Sequence, residues 1–218
     1  MRRVKRGVMR GIKPLLLATM VLSIMGVLKG SVACSRRPLA NPLTIDEASY
    51  ENGDLVFRRG VGLVSNFVVS VDTSSMFSHV GIICKTGSGT FVIHVLPDEQ
   101  QQNNDVVQME PIAVFLSSAN ASGFAMCRLA GDHRVIASRA VGHALDQWKG
   151  RVRYDYDLDS SNPRRLYCSE LVWLAYKQAG IDLTDGVLDR VNLPFYHGRY
   201  IMISRLLNSR WLEKITQQ

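Results

Sequence analysis

Beyond residue 50 the chain alternates between short strand-like and helix-like rhythms of apolar and polar positions. Asn52-Gly53 is a turn signal, and Asp54-Leu55-Val56-Phe57-Arg58 behind it alternates as a short strand. Residues 60–71 are apolar, with Leu63, Phe67 and Val71 at helical spacing, and predict a short helix leading into a loop. Residues 78–84 and 90–96 predict two strands of a hairpin joined at Lys85-Thr86-Gly87-Ser88-Gly89. Polar residues 97–105 predict a loop and 106–109 a strand, and Pro111 takes the first position of a helix running through 117. A strand follows at 124–129. Asp132 is placed to cap a helix whose apolar positions Val135, Ile136, Ala140, Ala144 and Trp148 run to Gly150. Residues 151–165 predict a charged, tyrosine-bearing loop, and 169–179 a helix that Gly180 ends. Helical and loop segments are expected for the rest. The mixture predicts an α+β fold, a small antiparallel sheet packed against helices in one domain over residues 51–218.

The first 50 residues follow another plan. Six basic residues precede Pro14, residues 15–28 are almost wholly apolar, and Ser31-Val32-Ala33 leads to Cys34. The apolar run is shorter than the ~20 residues of a spanning helix, so residues 1–33 are expected to be an export signal. Cys34 at the cleavage point is a possible lipidation site, giving membrane attachment, whereas Ser31-Val32-Ala33 equally suits an ordinary signal peptidase. Residues 34–50, with Pro38 and Pro42, are expected to form a tether. The body is then expected outside the cytoplasm, in a periplasm or as a membrane-attached lipoprotein.

Charge changes the picture only locally. The chain carries +7, but residues 1–34 hold seven basic residues and no acid; removing them leaves 19 basic residues against 19 acidic ones. A formally neutral body has no electrostatic footprint for nucleic acid, and none is expected as a partner. Cys84, Cys127 and Cys168 follow Cys34. In an oxidising compartment Cys84 and Cys127 could pair; alternatively both are buried small hydrophobes on strands.

The chemistry concentrates in two segments. Cys168 opens Cys168-Ser169-Glu170-Leu171-Val172-Trp173, and Leu171, Val172, Ala175 and Ala179 continue its line as one apolar stripe. The thiol is therefore expected at an inward-facing helix start, where unpaired N–H groups and the helix dipole favour a thiolate and an oxyanion. In Ser78-His79-Val80-Gly81-Ile82, His79 and Gly81 share a face. Pairing Cys84 with Gly89 would set His79 opposite His94, a base beside its orienter, with Gly81 leaving room for a helix side chain. Tyr154 and Tyr167 are candidate oxyanion or substrate-shaping phenols, while Asp155 and Asp157 are expected to be solvated loop charges. His133, His143 and His197 lack metal-ligand spacing, so neither metal nor cofactor is expected.

Gly53-Asp54-Leu55-Val56-Phe57, Ser78-His79-Val80-Gly81-Ile82, residues 150–155 and Tyr167-Cys168-Ser169-Glu170-Leu171-Val172-Trp173 resemble the YiiX/YebB-like permuted papain-like hydrolases, which belong with the NlpC-type amidases and lecithin retinol acyltransferase-like enzymes. The resemblance implies a circularly permuted papain-like fold with Cys168 as nucleophile and His79 as base. The third polar residue, commonly Glu in this branch, falls at His94. The expected function is an exported cysteine hydrolase working by acyl transfer on cell-envelope peptide amides. One alternative keeps the site for a lipid ester or lipidated amine, as the acyltransferase-like relatives imply, and another is a non-catalytic envelope binding module.

Overall fold

The computed structural model describes residues 43–98, 104–158, 160, 162, 164–193 and 196–218. The expected export signal, Cys34 and most of the tether lie outside them, as does the middle of the 97–105 loop. Residues 40–218 form one compact unit.

Its strands are β1 (Leu55–Gly60), β2 (His79–Thr86), β3 (Gly89–His94), β4 (Gln108–Pro111), β5 (Ala121–Leu129), β6 (Arg153–Tyr154), β7 (Arg165–Leu166), β8 (Asp189–Leu193), β9 (Tyr196–Tyr200) and β10 (Leu212–Gln217). Its helices are α1 (Leu63–Val71), α2 (Ile112–Phe115), α3 (Arg134–Lys149), α4 (Cys168–Ala179) and α5 (Ile203–Leu207). Six strands make one antiparallel sheet in the order β10-β5-β1-β2-β3-β4. Alternation gives that sheet two apolar faces. Leu55, Phe57, Val80, Ile82 and Ile93 point to a core completed by α3 and α4. Val56, Ile83 and Val92 point to a smaller core under Ile112, Phe115 and Phe124.

The start of β1 is clamped from both sides. Gly53 takes φ +85°, and a Cβ there would lie 2.7 Å from that of Ala137, so glycine lets α3 close in. Tyr176 of α4 donates to the Gly53 carbonyl. Asp54, buried beneath, accepts two bonds from Arg128, each 2.8 Å, and the Glu51 N–H at 2.7 Å. Gly53 thus ties the start of β1 to both packed helices, and Asp54 ties it to β5.

Several expectations need correction. The residues after Gly180 are expected to be helix and loop; besides α5 they hold the β8–β9 hairpin and the edge strand β10, paired along β5. Asp132 does not cap α3; its carboxylate pairs with Arg134 at 3.1 Å and His133 holds the cap position. The buried side of α3 is Ala137, Ala140, Val141 and Ala144, while Val135 and Trp148 are exposed. Small alanines face inward because Gly53 and α4 leave no room for larger side chains.

A Cys84–Cys127 disulfide is also excluded. Both cysteines are free and buried, and they sit on β2 and β5, which flank β1 on opposite sides. Two strand spacings put them about 10 Å apart, beyond the ~7 Å limit for Cα atoms in a disulfide.

Candidate active site

Cys168 is the first residue of α4, whose stripe of Leu171, Val172, Ala175 and Ala179 is buried in the main core. The apolar periodicity therefore fixes the direction of the helix start. The Glu170 carboxylate reaches back to the Tyr167 N–H at 3.4 Å, so it serves the helix terminus, and Gly180 ends the helix in a left-handed conformation. The backbone N–H groups of Val80, Ser169 and Cys168 itself lie close enough to the sulfur to favour its thiolate form. The thiol thus lies against β2, one residue from His79. The cysteine remains partly accessible, yet its surroundings are dense enough that burial pushes the thiol up to about 11; the three N–H groups and the charge of Arg58 only partly offset this.

His79 begins β2 and is buried. Its Nε2 lies 3.0 Å from Nδ1 of His94, the last residue of β3. The hairpin register differs from the expected one. Thr86 pairs with Gly89 around a two-residue turn, so Ile82 faces Ile93 and the next pair sets His94 beside Gly81. The slip is two residues, which preserves the face because side chains alternate with period two. The two imidazoles meet diagonally rather than directly opposed. Gly81 makes this possible: a Cβ there would lie 2.4 Å from Val92 Cγ1 and 3.2 Å from His94 Cβ. The space at Gly81 is thus filled by β3, not by a side chain from α4 as expected.

Behind His94 the structure brings three residues that the sequence reading did not single out. Glu110 of β4 places Oε1 3.0 Å from His94 Nε2, off the ring N–H axis, so the contact is more an ion-pair approach than a well-aligned hydrogen bond. Arg58 of β1, opposite His79 in register, lies 4.0 Å from the same oxygen. Its guanidinium stacks 4.2 Å over the Phe115 ring and donates to the Phe115 carbonyl at 2.8 Å. Phe115 also packs on both imidazoles. The available signals were Arg58, a charged residue directly after the apolar run Leu55-Val56-Phe57, and Glu110, next to a proline that ends a strand.

Electrostatics follow from this burial. Desolvation and the Arg58 charge hold His79 well below the ordinary imidazole value. His94 is also lowered by desolvation, with Glu110 acting in the opposite sense. For Glu110, burial pushes the carboxyl up, but His94 and Arg58 more than offset it and leave it below the usual range. The resting site is therefore a neutral thiol beside neutral histidines. Among the described residues, no hydrogen bond joins Cys168 to His79.

The two tyrosines separate. The Tyr167 hydroxyl is occupied, 2.9 Å from Ser160 Oγ and accepting the Ile201 N–H at 3.0 Å. Tyr154 is half-buried and near enough to Cys168 for their charges to interact; burial raises its phenol, which stays protonated. Its hydroxyl has no hydrogen-bond partner among the described residues. Asp155 is buried rather than solvated and accepts the Asp157 N–H at 3.0 Å.

Compared with known proteins, residues 49–193 match the family model described as permuted papain-like amidase enzyme, YaeF/YiiX, C92 family. No curated protein matches the chain significantly. Among solved structures it is similar to metalloprotein yiiX from Escherichia coli O157:H7, at 15% identity and a TM-score of 0.60, over 77% of this chain and 97% of that one. At that identity the likeness is one of fold. Among the described residues of this chain, no group of three or more His, Cys, Asp or Glu side chains is arranged to hold a metal ion.

Proposed function

The chain belongs to the YaeF/YiiX, C92 family of permuted papain-like amidase enzymes, and from that premise we propose an exported cysteine hydrolase that cleaves cell-envelope peptide amides by acyl transfer through Cys168 and His79. One observation carries the reading: the thiol at the start of α4 lies beside the Val80 backbone, next to a buried His79 whose Nε2 is 3.0 Å from His94 Nδ1. When His79 donates Nε2–H in that contact, Nδ1 is its basic nitrogen. In the proposed reaction Nδ1 takes the thiol proton as the sulfur attacks the carbonyl carbon. The oxyanion is met by N–H groups at the helix start and by the Tyr154 hydroxyl, a role Tyr167 is not free to share. His79 returns the proton to the leaving amine, then draws one from the water that releases the acyl group. Export is supported by the basic, apolar and small-residue succession of residues 1–34, with Cys34 available for lipidation.

Trapping tests this directly. The full-length protein, incubated with a p-nitrophenyl acyl ester and quenched, is expected to carry one acyl group on Cys168 by peptide mass spectrometry. Cys168→Ser and His79→Ala should lose the burst. An unmodified Cys168 under turnover conditions would return the protein to the binding-module reading.

A second reading changes the substrate to a lipid ester or lipidated amine. It is favoured by α1, which follows directly on the strand bearing Arg58. No residue of α1 is buried, and Leu63 is 68% and Phe67 47% exposed.

A further inference from the structure

Glu110 never touches the thiol, yet its position constrains the nitrogen that does the chemistry. An ionised carboxylate can only accept hydrogen bonds, and a neutral imidazole carries one N–H and one bare nitrogen. Glu110 Oε1, 3.0 Å from His94 Nε2 though off the N–H axis, therefore favours the His94 proton on Nε2 over a lone pair facing the carboxylate, and leaves Nδ1 bare. That bare nitrogen lies 3.0 Å from His79 Nε2 and requires a proton there. His79 then has its lone pair on Nδ1. The opposite protonation pattern would set the His94 Nε2 lone pair against a carboxylate and put the His79 proton on Nδ1, where no base would remain.

Arg58 completes the arrangement. Arg58 is 6% exposed, and its guanidinium is held by the Phe115 carbonyl and ring and stands 4.0 Å from Glu110. We propose that Glu110, kept ionised beside Arg58, is a positioning residue that selects the His79 tautomer through His94. The proposal rests on the reading of His79 as the base. It separates this chain from a plain Cys–His–carboxylate triad, because a second imidazole stands between carboxylate and base and passes on the orientation without direct contact.

The test uses the full-length protein labelled with 15N-histidine, with p-nitrophenyl acetate as the turnover probe. Long-range 1H–15N spectra report which nitrogen of each ring is protonated. Wild type is expected to show His79 as the Nε2–H form. Glu110→Gln offers an amide N–H to His94 Nε2 and is expected to move His79 toward the Nδ1–H form. Its kcat should fall on the order of 100-fold, less than the ~10⁴-fold seen when the carboxylate directly on the base is amidated, with KM little changed. Glu110→Asp should keep the wild-type tautomer and most of the rate, and Arg58→Lys should fall between. An unchanged His79 tautomer in Glu110→Gln, or a wild-type kcat, overturns the proposal and leaves Glu110 a structural ion-pair partner. If Glu110→Gln fails to fold, a wrong His79 tautomer in folded Glu110→Asp or in wild type overturns it equally. Full turnover in His79→Ala together with a tautomer shift in Glu110→Gln would sink the catalytic reading while leaving the coupling intact.

Discussion

At the scale of single residues, the site sets two tendencies against each other at one sulfur. Position at a helix start, with three N–H groups and a nearby guanidinium, favours the thiolate; burial opposes it and prevails, at about 11 against the ordinary 9.0. The charge logic of Cys168 was legible in the sequence, because helix-start N–H groups follow from local structure. The desolvation was not, because it depends on β2 lying over the sulfur. The consequence is a nucleophile activated by proton transfer during attack rather than a standing ion pair. Alkylation of Cys168 by iodoacetamide, followed by mass spectrometry, is therefore expected to keep rising from pH 8 to 10 with no plateau on the acid side. The sign is opposite for His79. Its lowered value keeps the imidazole neutral below the usual ~6.5, so the acid limb of kcat/KM should lie below that pH. A labelling plateau already reached by pH 7 would show a preformed thiolate–imidazolium pair.

At the scale of elements, the β2–β3 hairpin carries the site, and Gly81 decides how. Its missing Cβ lets Val92 and His94 settle against β2, so the diagonal imidazole contact depends on a glycine in mid-strand. Gly81→Ala would place a methyl group 2.4 Å from Val92 Cγ1. It should cost about 1–3 kcal/mol by overpacking, read as a lower urea midpoint, and it should reduce turnover beyond the loss of folded protein because His94 moves. An alanine variant with wild-type stability and rate would refute this role for Gly81. Period-two alternation revealed the shared face of the histidines from sequence alone, since a slip of two residues cannot change it. The register itself was not legible. Lys85, Thr86 and Gly89 read as turn residues, yet they extend the ladder around Gly87-Ser88. Glu110 escaped notice for a related reason: β4 is a four-residue edge strand, too short for a convincing alternation. The C-terminal strands were missed because β10 is amphipathic only in the context of β5 beside it.

At the scale of the whole molecule, most apolar side chains are spent on the two cores, and α1 with its flanks holds several of those that are not. Val68 packs on the main core, but Leu63 and Phe67 of this nine-residue helix stay 68% and 47% exposed, with Val61 and Met76 nearby at 51% and 56%. Single exposed apolar residues need no explanation, but a contiguous group marks a contact surface. Among the described residues no helix is long and apolar enough to cross a membrane, and α1, at nine residues, falls far short of the span. Its exposed apolar side chains would instead lie along an interface, with Ser65, Asn66 and Ser70 and no charged residue on the helix. Because α1 continues from β1, which carries Arg58 opposite His79, such contact would bring the thiol close to lipid-linked substrates. Residues 40–218, free of the N-terminal apolar run, are therefore expected to co-sediment with phosphatidylcholine–phosphatidylglycerol vesicles, and Leu63→Asp with Phe67→Asp should lower the bound fraction at least several-fold. Acylation of Cys168 by a short soluble ester should be unchanged in that double variant, since neither residue belongs to the proposed chemistry. Equal sedimentation of wild type and variant would remove the membrane argument and leave the peptide-amide reading without its rival. Loss of both vesicle binding and acylation would instead place α1 within the active cleft.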